Sequence, residues 1–192
     1  HLALENLTVL TPNSEQTLVS DLSLQIAPND RLLIVGASGC GKSSLLRAIA
    51  GLWTNGNGQI SRPDVNEMLF LPQRPYMLLG SLREQLIYPY NYTRSDETLA
   101  DILNQVNLGD LPKRFGGWDT VHDWSSVLSL GQQQRLAFAR ILLSQPAYAM
   151  MDEATSALDI DNERYLYTLL AEMHSVYVSV GHRPSLLDYH HK

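Results

Sequence analysis

Gly36-Ala37-Ser38-Gly39-Cys40-Gly41-Lys42-Ser43 follows the apolar run Arg31-Leu32-Leu33-Ile34-Val35 and leads into Ser44-Leu45-Leu46-Arg47-Ala48-Ile49. It fills every fixed position of G-x-x-x-x-G-K-[ST] and lies between a predicted strand and a predicted helix, the setting in which that pattern forms a phosphate-binding loop. Glycines let backbone N–H groups turn inward around an anion, and the following helix adds its unpaired first-turn donors and positive dipole end. Lys42 is expected to reach the terminal phosphate oxygens, and Ser43 Oγ to ligate Mg²⁺. The expected nucleotide-binding stretch is therefore Gly36, Ala37, Ser38, Gly39, Cys40, Gly41, Lys42, Ser43 and Ser44. The loop alone does not separate a small-molecule kinase from a GTPase or another nucleotide hydrolase.

Working outward, Leu2, Leu4, Leu7, Val9 and then Leu18, Leu22, Leu24, Ile26 read as half-buried strands around a polar turn at 11–16. The helix after the loop starts near Lys42, carries Leu45, Leu46 and Ile49 on one face, and stops at Gly51. Residues 68–71 form a short strand closed by Pro72. Ser81 and Glu84 make a capping box that starts a helix. Residues 96–106 and 131–144 read as two more helices, 147–152 as a strand, the Leu166, Leu169, Leu170, Met173 stripe as a helix, and 176–180 as a final strand. Alternating strands and helices imply an α/β fold with a mostly parallel sheet. Residues 1–73 and 147–192 are expected to form the core, and 74–146 a helical insert.

Composition narrows the partners. A chain of 192 residues supports one well-buried domain. Its net charge of −6 argues against a general nucleic-acid binder. The single cysteine, Cys40, has no internal partner for a disulfide, which suits a reducing compartment. No stretch approaches the roughly 18 apolar residues needed to cross a bilayer. Any membrane role is therefore expected to run through a partner domain, with the abrupt start fitting a domain cut from a longer chain.

Tyr148-Ala149-Met150-Met151-Asp152-Glu153 is an apolar strand ending in two acids. An acid at the carboxyl end of a parallel strand faces the ligand crevice. Asp152 is placed to hold Mg²⁺ and Glu153 to polarise an attacking water.

Leu128-Ser129-Leu130-Gly131-Gln132, followed by Gln133-Gln134-Arg135, resembles the signature motif of ABC ATPases. Physically it is a second helix N-terminus with a serine and a glycine. The resemblance implies that it closes on the ATP held by the phosphate loop of a second, similar domain, so that two domains sandwich two ATP molecules. Other family elements follow in order. Gln73 matches the Q-loop glutamine, a ligand of Mg²⁺ that faces the transmembrane domain. Ser156-Ala157-Leu158-Asp159 matches the D-loop at the dimer interface, and His182 the switch histidine at the γ-phosphate. The resemblance implies a P-loop NTPase of RecA-like fold with an N-terminal antiparallel β part. ATP and Mg²⁺ are its cofactors, and Glu153, His182 and Gln73 its catalytic set.

The stretches 70–76, 80–86, 128–131 and 181–183 together look like subfamily D, the peroxisomal acyl transporters and their bacterial relatives. In those proteins the ATPase domain is fused behind a transmembrane domain, which implies work at the cytoplasmic face of a membrane. The bacterial inner membrane is the first expectation, with a peroxisomal or other organellar membrane as the alternative. Leu130 stands where a second signature glycine is usual. No aromatic residue stands near Thr11, where most members stack adenine, so weak base selectivity is expected. The alternative reading is a soluble ABC protein of DNA repair or translation. Repair members insert long coiled coils, whereas here only about ninety residues, without heptads, separate loop and signature.

Overall fold

The structure, a computed structural model, describes residues 1–37 and 39–192. In chain order the elements are β1 (Leu2–Leu10), β2 (Thr17–Ile26), β3 (Arg31–Ile34), α1 (Lys42–Ala50), β4 (Gly56–Ser61), β5 (Met68–Leu71), β6 (Leu79–Ser81), α2 (Leu82–Ile87) and α3 (Asp96–Gln105). They continue as α4 (Leu111–Arg114), β7 (Val121–Asp123), α5 (Trp124–Val127), α6 (Leu130–Ser144), β8 (Tyr148–Asp152), α7 (Ile160–Glu172) and β9 (Val176–Val180). Packing divides them into two compact units, the first being His1–Phe70, Pro146–Glu153 and His174–Lys192, the second Leu71–Gln145 and Ala154–Met173.

The first unit holds two sheets. One has the order β3-β9-β8-β5, with β3–β9 and β8–β9 parallel. β8 and β9 are buried at every position, which is why they read as mostly apolar runs, broken only by Asp152 and Ser179, rather than alternating ones. The other is antiparallel, in the order β2-β1-β4. In β1 the apolar spacing breaks from two to three between Leu4 and Leu7, which would turn a regular strand inside out. A bulge corrects it: Leu4 pairs with Leu24 but Leu7 with Leu22, and Asn6 between them is left-handed at φ 48°. Leu2, Leu4, Leu7 and Val9 therefore reach the same core, with α1 laid over it through Leu45, Leu46 and Ile49. The ends of α1 fall at Lys42 and at a left-handed Gly51, as its sequence signals require.

β4 carries no sequence signal. Gly56-Asn57-Gly58-Gln59 is polar and glycine-rich, yet it pairs with β1. A Cβ at Gly58 would lie 2.5 Å from the Asn6 carbonyl oxygen, and its φ of +107° excludes most side chains. Close approach, not hydrophobic patterning, makes this strand.

The second unit is mostly helical, with a two-stranded β6–β7 ribbon. The Ser81 capping box is present: Ser81 Oγ accepts from Glu84 N at 3.2 Å, and Ser81 N donates to Glu84 Oε2 at 2.6 Å. Ser81→Ala is expected to cost about 1 kcal/mol, read as a lower urea midpoint at unchanged slope. Trp124 is fully buried, donates from Nε1 to the Gly80 carbonyl at 2.7 Å, and meets the edges of Phe115 and His122. Residues 154–173 group with this helical unit. The cause is the packing of α7, which sets Tyr167 against Phe138 and binds its buried Glu163 to Thr155 Oγ1 at 2.7 Å. α6 buries residues around most of its circumference, among them Arg140. Burial pushes that guanidinium down to about 10, still cationic at neutral pH, while its Nε donates to the Gln85 carbonyl at 2.6 Å.

Candidate nucleotide site

The phosphate loop joins β3 to α1 in the first unit. Gly41 caps the helix from the left-handed region at φ 98°, and a Cβ there would meet Leu18 Cβ at 2.7 Å. Only glycine makes this turn without strain, so the loop is a cradle that a side chain would fill. Lys42 folds its ammonium back over the loop, donating to the carbonyls of Gly36 at 2.6 Å and Ala37 at 3.0 Å. Cys40 is exposed with a free thiol. Ser38 lies outside the described residues.

Three segments far apart in sequence meet here. Ser43, in the first turn of α1, donates its hydroxyl to Asp152 Oδ1 at 2.8 Å. Asp152 ends β8, is 5% exposed, and has Arg47 at 3.7 Å. Glu153 follows in a left-handed conformation, φ 54°, with its N–H on the Val180 carbonyl at 2.9 Å. A non-glycine residue held there stores strain of order 1 kcal/mol, a pattern frequent where a side chain must be aimed. Glu153 Oε1 lies 3.0 Å from Nδ1 of His182, which comes from just beyond β9. A neutral imidazole carrying its proton on Nδ1 would donate to that carboxylate.

One cleft of about 570 Å³ is lined by the loop glycines, Lys42, Ser43, Ser44, Glu153 and His182, with Leu18 and Val180 as apolar members. Asp152 joins the cleft through its bond to Ser43. Among the described residues lining it there is no tyrosine, phenylalanine or tryptophan. Thr11 is engaged in its own turn, donating to Asn13 Oδ1 at 2.7 Å and accepting from Gln16 N at 3.1 Å. The donor chemistry fits Mg²⁺: the Ser43 hydroxyl lining the cleft and the Asp152 carboxylate, both hard oxygens, are hydrogen-bonded to each other.

The remaining sequence-selected residues belong to the second unit. Gln73 donates from Nε2 to Ser156 Oγ at 3.2 Å. Ser129 is the N-cap of α6: its Oγ accepts from Gln132 N at 3.2 Å, and its own N–H donates to Gln132 Oε1 at 2.9 Å. Leu128 is buried, Leu130 opens the helix, and Gly131 lies against the Ala157 carbonyl. Ser156, Ala157, Leu158 and Asp159 lead into α7, whose N-cap is Asp159 through Asn162 N at 2.7 Å. Sequence reasoning missed Gln134, whose buried amide makes three bonds to two of these segments, the Gln73 loop and Ser156-Ala157. Its only signal was that a glutamine on the inner face of a helix needs partners.

The family model described as ABC transporter matches residues 19–156. The chain is 59% identical over 190 residues to an uncharacterized ABC transporter ATP-binding protein of Synechocystis, covering 98% of this chain and 29% of that protein. It is 45% identical over 237 residues to the chloroplastic ABC transporter D family member 2 of Arabidopsis thaliana, covering 100% of this chain and 34% of that protein. The chain thus spans about a third of the length of these relatives. The solved structure of a bacterial Atm1-family ABC exporter with ATP bound superposes with a TM-score of 0.82 at 24% identity, over 97% of this chain and 35% of that one, which shows the shared fold. Loop, carboxylates and match together establish that the chain belongs to the ABC transporter family as an ATP-binding domain, and that it resembles subfamily D within that family.

Proposed function

We propose that the first-unit cleft binds Mg-ATP and that residues 1–192, with their helical part at 74–146, hydrolyse it as one half of an ATP sandwich. The observation supporting this best is the meeting of Lys42, Ser43, Asp152, Glu153 and His182 from three separated segments. The loop from Gly36 to Ser44 wraps the phosphates with backbone donors, and the Lys42 ammonium adds charge. Ser43 and Asp152, already hydrogen-bonded to each other, would hold Mg²⁺. When bound, the ion neutralises charge that develops on the phosphate oxygens. Glu153 accepts the proton of the attacking water, and His182 orients that carboxylate. Positioning and charge do most of the catalysis, because phosphoryl transfer leaves little covalent work for the protein.

Leu128, Ser129, Leu130, Gly131 and Gln132 form the surface that closes on the ATP of a second nucleotide-binding domain, with 156–159 at the shared interface. Ser129 is already used as a helix cap, so this role rests on the motif and on the free donors at a helix start. Closure would pull on a transmembrane domain through the Gln73 region, coupling hydrolysis to transport at the cytoplasmic face of a membrane. No described helix is long and apolar enough to cross a membrane. The chain spans only about a third of its relatives' length, which leaves room for a transmembrane partner fused upstream in the full-length protein.

Subunit mixing tests the shared sites. In the full-length protein, Lys42→Ala disables the loop and Ser129→Arg the signature. Each homodimer is expected to be inactive, whereas co-expression rebuilds one intact site in each mixed dimer and restores ATPase activity to about a quarter of the wild-type level. Activity in either homodimer, or none in the mixture, defeats the two-half-site reading.

A further inference from the structure

One buried group of the second unit has no part in the scheme above. Gln134, one turn beyond Gly131 in α6, is 0% exposed and uses both ends of its amide. Its Nε2 donates to the Gln73 carbonyl at 2.9 Å and to Ser156 Oγ at 3.1 Å, and its Oε1 accepts the Ala157 N–H at 2.9 Å. Gln73 Nε2 reaches the same hydroxyl at 3.2 Å. One side chain thus ties together the loop after β5, the helix that opens at Ser129, and the loop after Glu153. Its neighbours work locally: Gln132 completes the Ser129 cap, and Gln133 donates to the carbonyls of Ser125 and Leu128. Next to this hub the helix touches the loop backbone directly, since a Cβ at Gly131 would stand 3.1 Å from the Ala157 carbonyl oxygen.

We propose that Gln134 is a positioning residue for ATP hydrolysis, locking the Gln73 loop and the Ser156-Ala157 loop to the first turns of α6 so that the three shift as one piece when a second domain closes. This rests on the ATPase reading. A buried amide with its three bonds made gives the two loops a single arrangement, and its loss leaves the Ala157 N–H and the Gln73 carbonyl without that partner. Gln73 and Ser156 would then settle independently of the signature helix. Nucleotide affinity should be untouched, because the residues that hold the phosphates belong to the first-unit cleft.

Steady-state ATPase assays on the full-length protein test this with two substitutions. Gln134→Leu keeps the volume and removes every bond. Gln134→Glu keeps the acceptor for Ala157 N–H and removes the donor to the Gln73 carbonyl. The leucine variant is expected to lose about tenfold or more in kcat with KM for ATP within about twofold, and the glutamate variant to lose less, about threefold, also in kcat alone. A kcat per folded molecule equal to wild type in either variant, or a loss carried by KM, overturns the assignment. Should the leucine variant not be recovered folded, the glutamate variant decides alone. Wild-type hydrolysis and its loss in Glu153→Gln check the ATPase reading separately, so normal controls beside an active Gln134 variant defeat this proposal only.

Discussion

Glu153→Gln is expected to reduce steady-state ATP hydrolysis by at least about a hundredfold, the lower range for removing a positioned general base. The substitution changes one atom. The amide keeps the shape of the side chain and still accepts from His182 Nδ1 through its oxygen, so the 3.0 Å contact has no reason to break. The left-handed backbone at 153 is held by the bond to the Val180 carbonyl, which the side chain does not enter. What disappears is the ability to accept a proton. ATP should therefore bind with near wild-type affinity and stay, and the protein should accumulate as a closed, ATP-loaded dimer on size exclusion. Undiminished turnover would remove Glu153 from the chemistry and leave the strained backbone there unexplained.

Residues with a local physical signature were legible in the chain itself. The phosphate loop announces its turn through glycines and its helix through Leu45, Leu46 and Ile49. The acids at 152 and 153 stand out because β8 is otherwise apolar. The Ser81 capping box is a four-residue pattern whose bonds depend on nothing distant. Where structure goes beyond the reading, the cause is tertiary. β4 exists because glycines let a polar segment approach β1, a contact that no periodicity records. The bulge at Asn6 is visible only as a change of apolar spacing, and its meaning requires the paired strand. The grouping of 154–173 with the helical unit follows from the contacts of Tyr167 and Glu163, not from any boundary in composition. Gln134 sits among three consecutive glutamines that look equivalent in sequence. One caps, one holds local carbonyls, and one bridges segments 61 and 22 residues away.

The meeting of distant segments also explains how a small set of residues can serve a reaction with little covalent chemistry. Ser43 stands at the start of a helix, Asp152 and Glu153 at the end of β8, and His182 just past β9. Two neighbouring parallel strands and one helix therefore deliver their polar ends to one cleft, while their apolar lengths make the core beneath it. The rigidity that aims Asp152 is the burial of β8; the freedom to aim Glu153 comes from the left-handed turn that ends it.

Lys42→Ala carries the second large effect, on binding rather than turnover. Removing one partner of a desolvated, hydrogen-bonded charge pair costs about 2–5 kcal/mol, or roughly thirtyfold to several-thousandfold in ATP affinity. Two roles are lost together. The ammonium would no longer face the phosphates, and the carbonyls of Gly36 and Ala37 would lose the donor that draws them to one centre, at 2.6 and 3.0 Å. Lys42→Arg should not rescue, because a planar fork cannot replace a compact point charge inside so short a loop. Thermal shift separates binding from folding. Ligand-induced stabilisation grows as RT ln(1 + [L]/Kd), so a millimolar ATP addition that raises the wild-type Tm should raise the variant's hardly at all. The ligand-free Tm should stay close to wild type, since Lys42 is only half-buried and lies outside the apolar core. A wild-type ATP shift in the alanine variant would mean that the loop's N–H groups and helix dipole alone hold the phosphates. A collapse of the ligand-free Tm would instead make the lysine a structural strut of the loop, with the charge secondary.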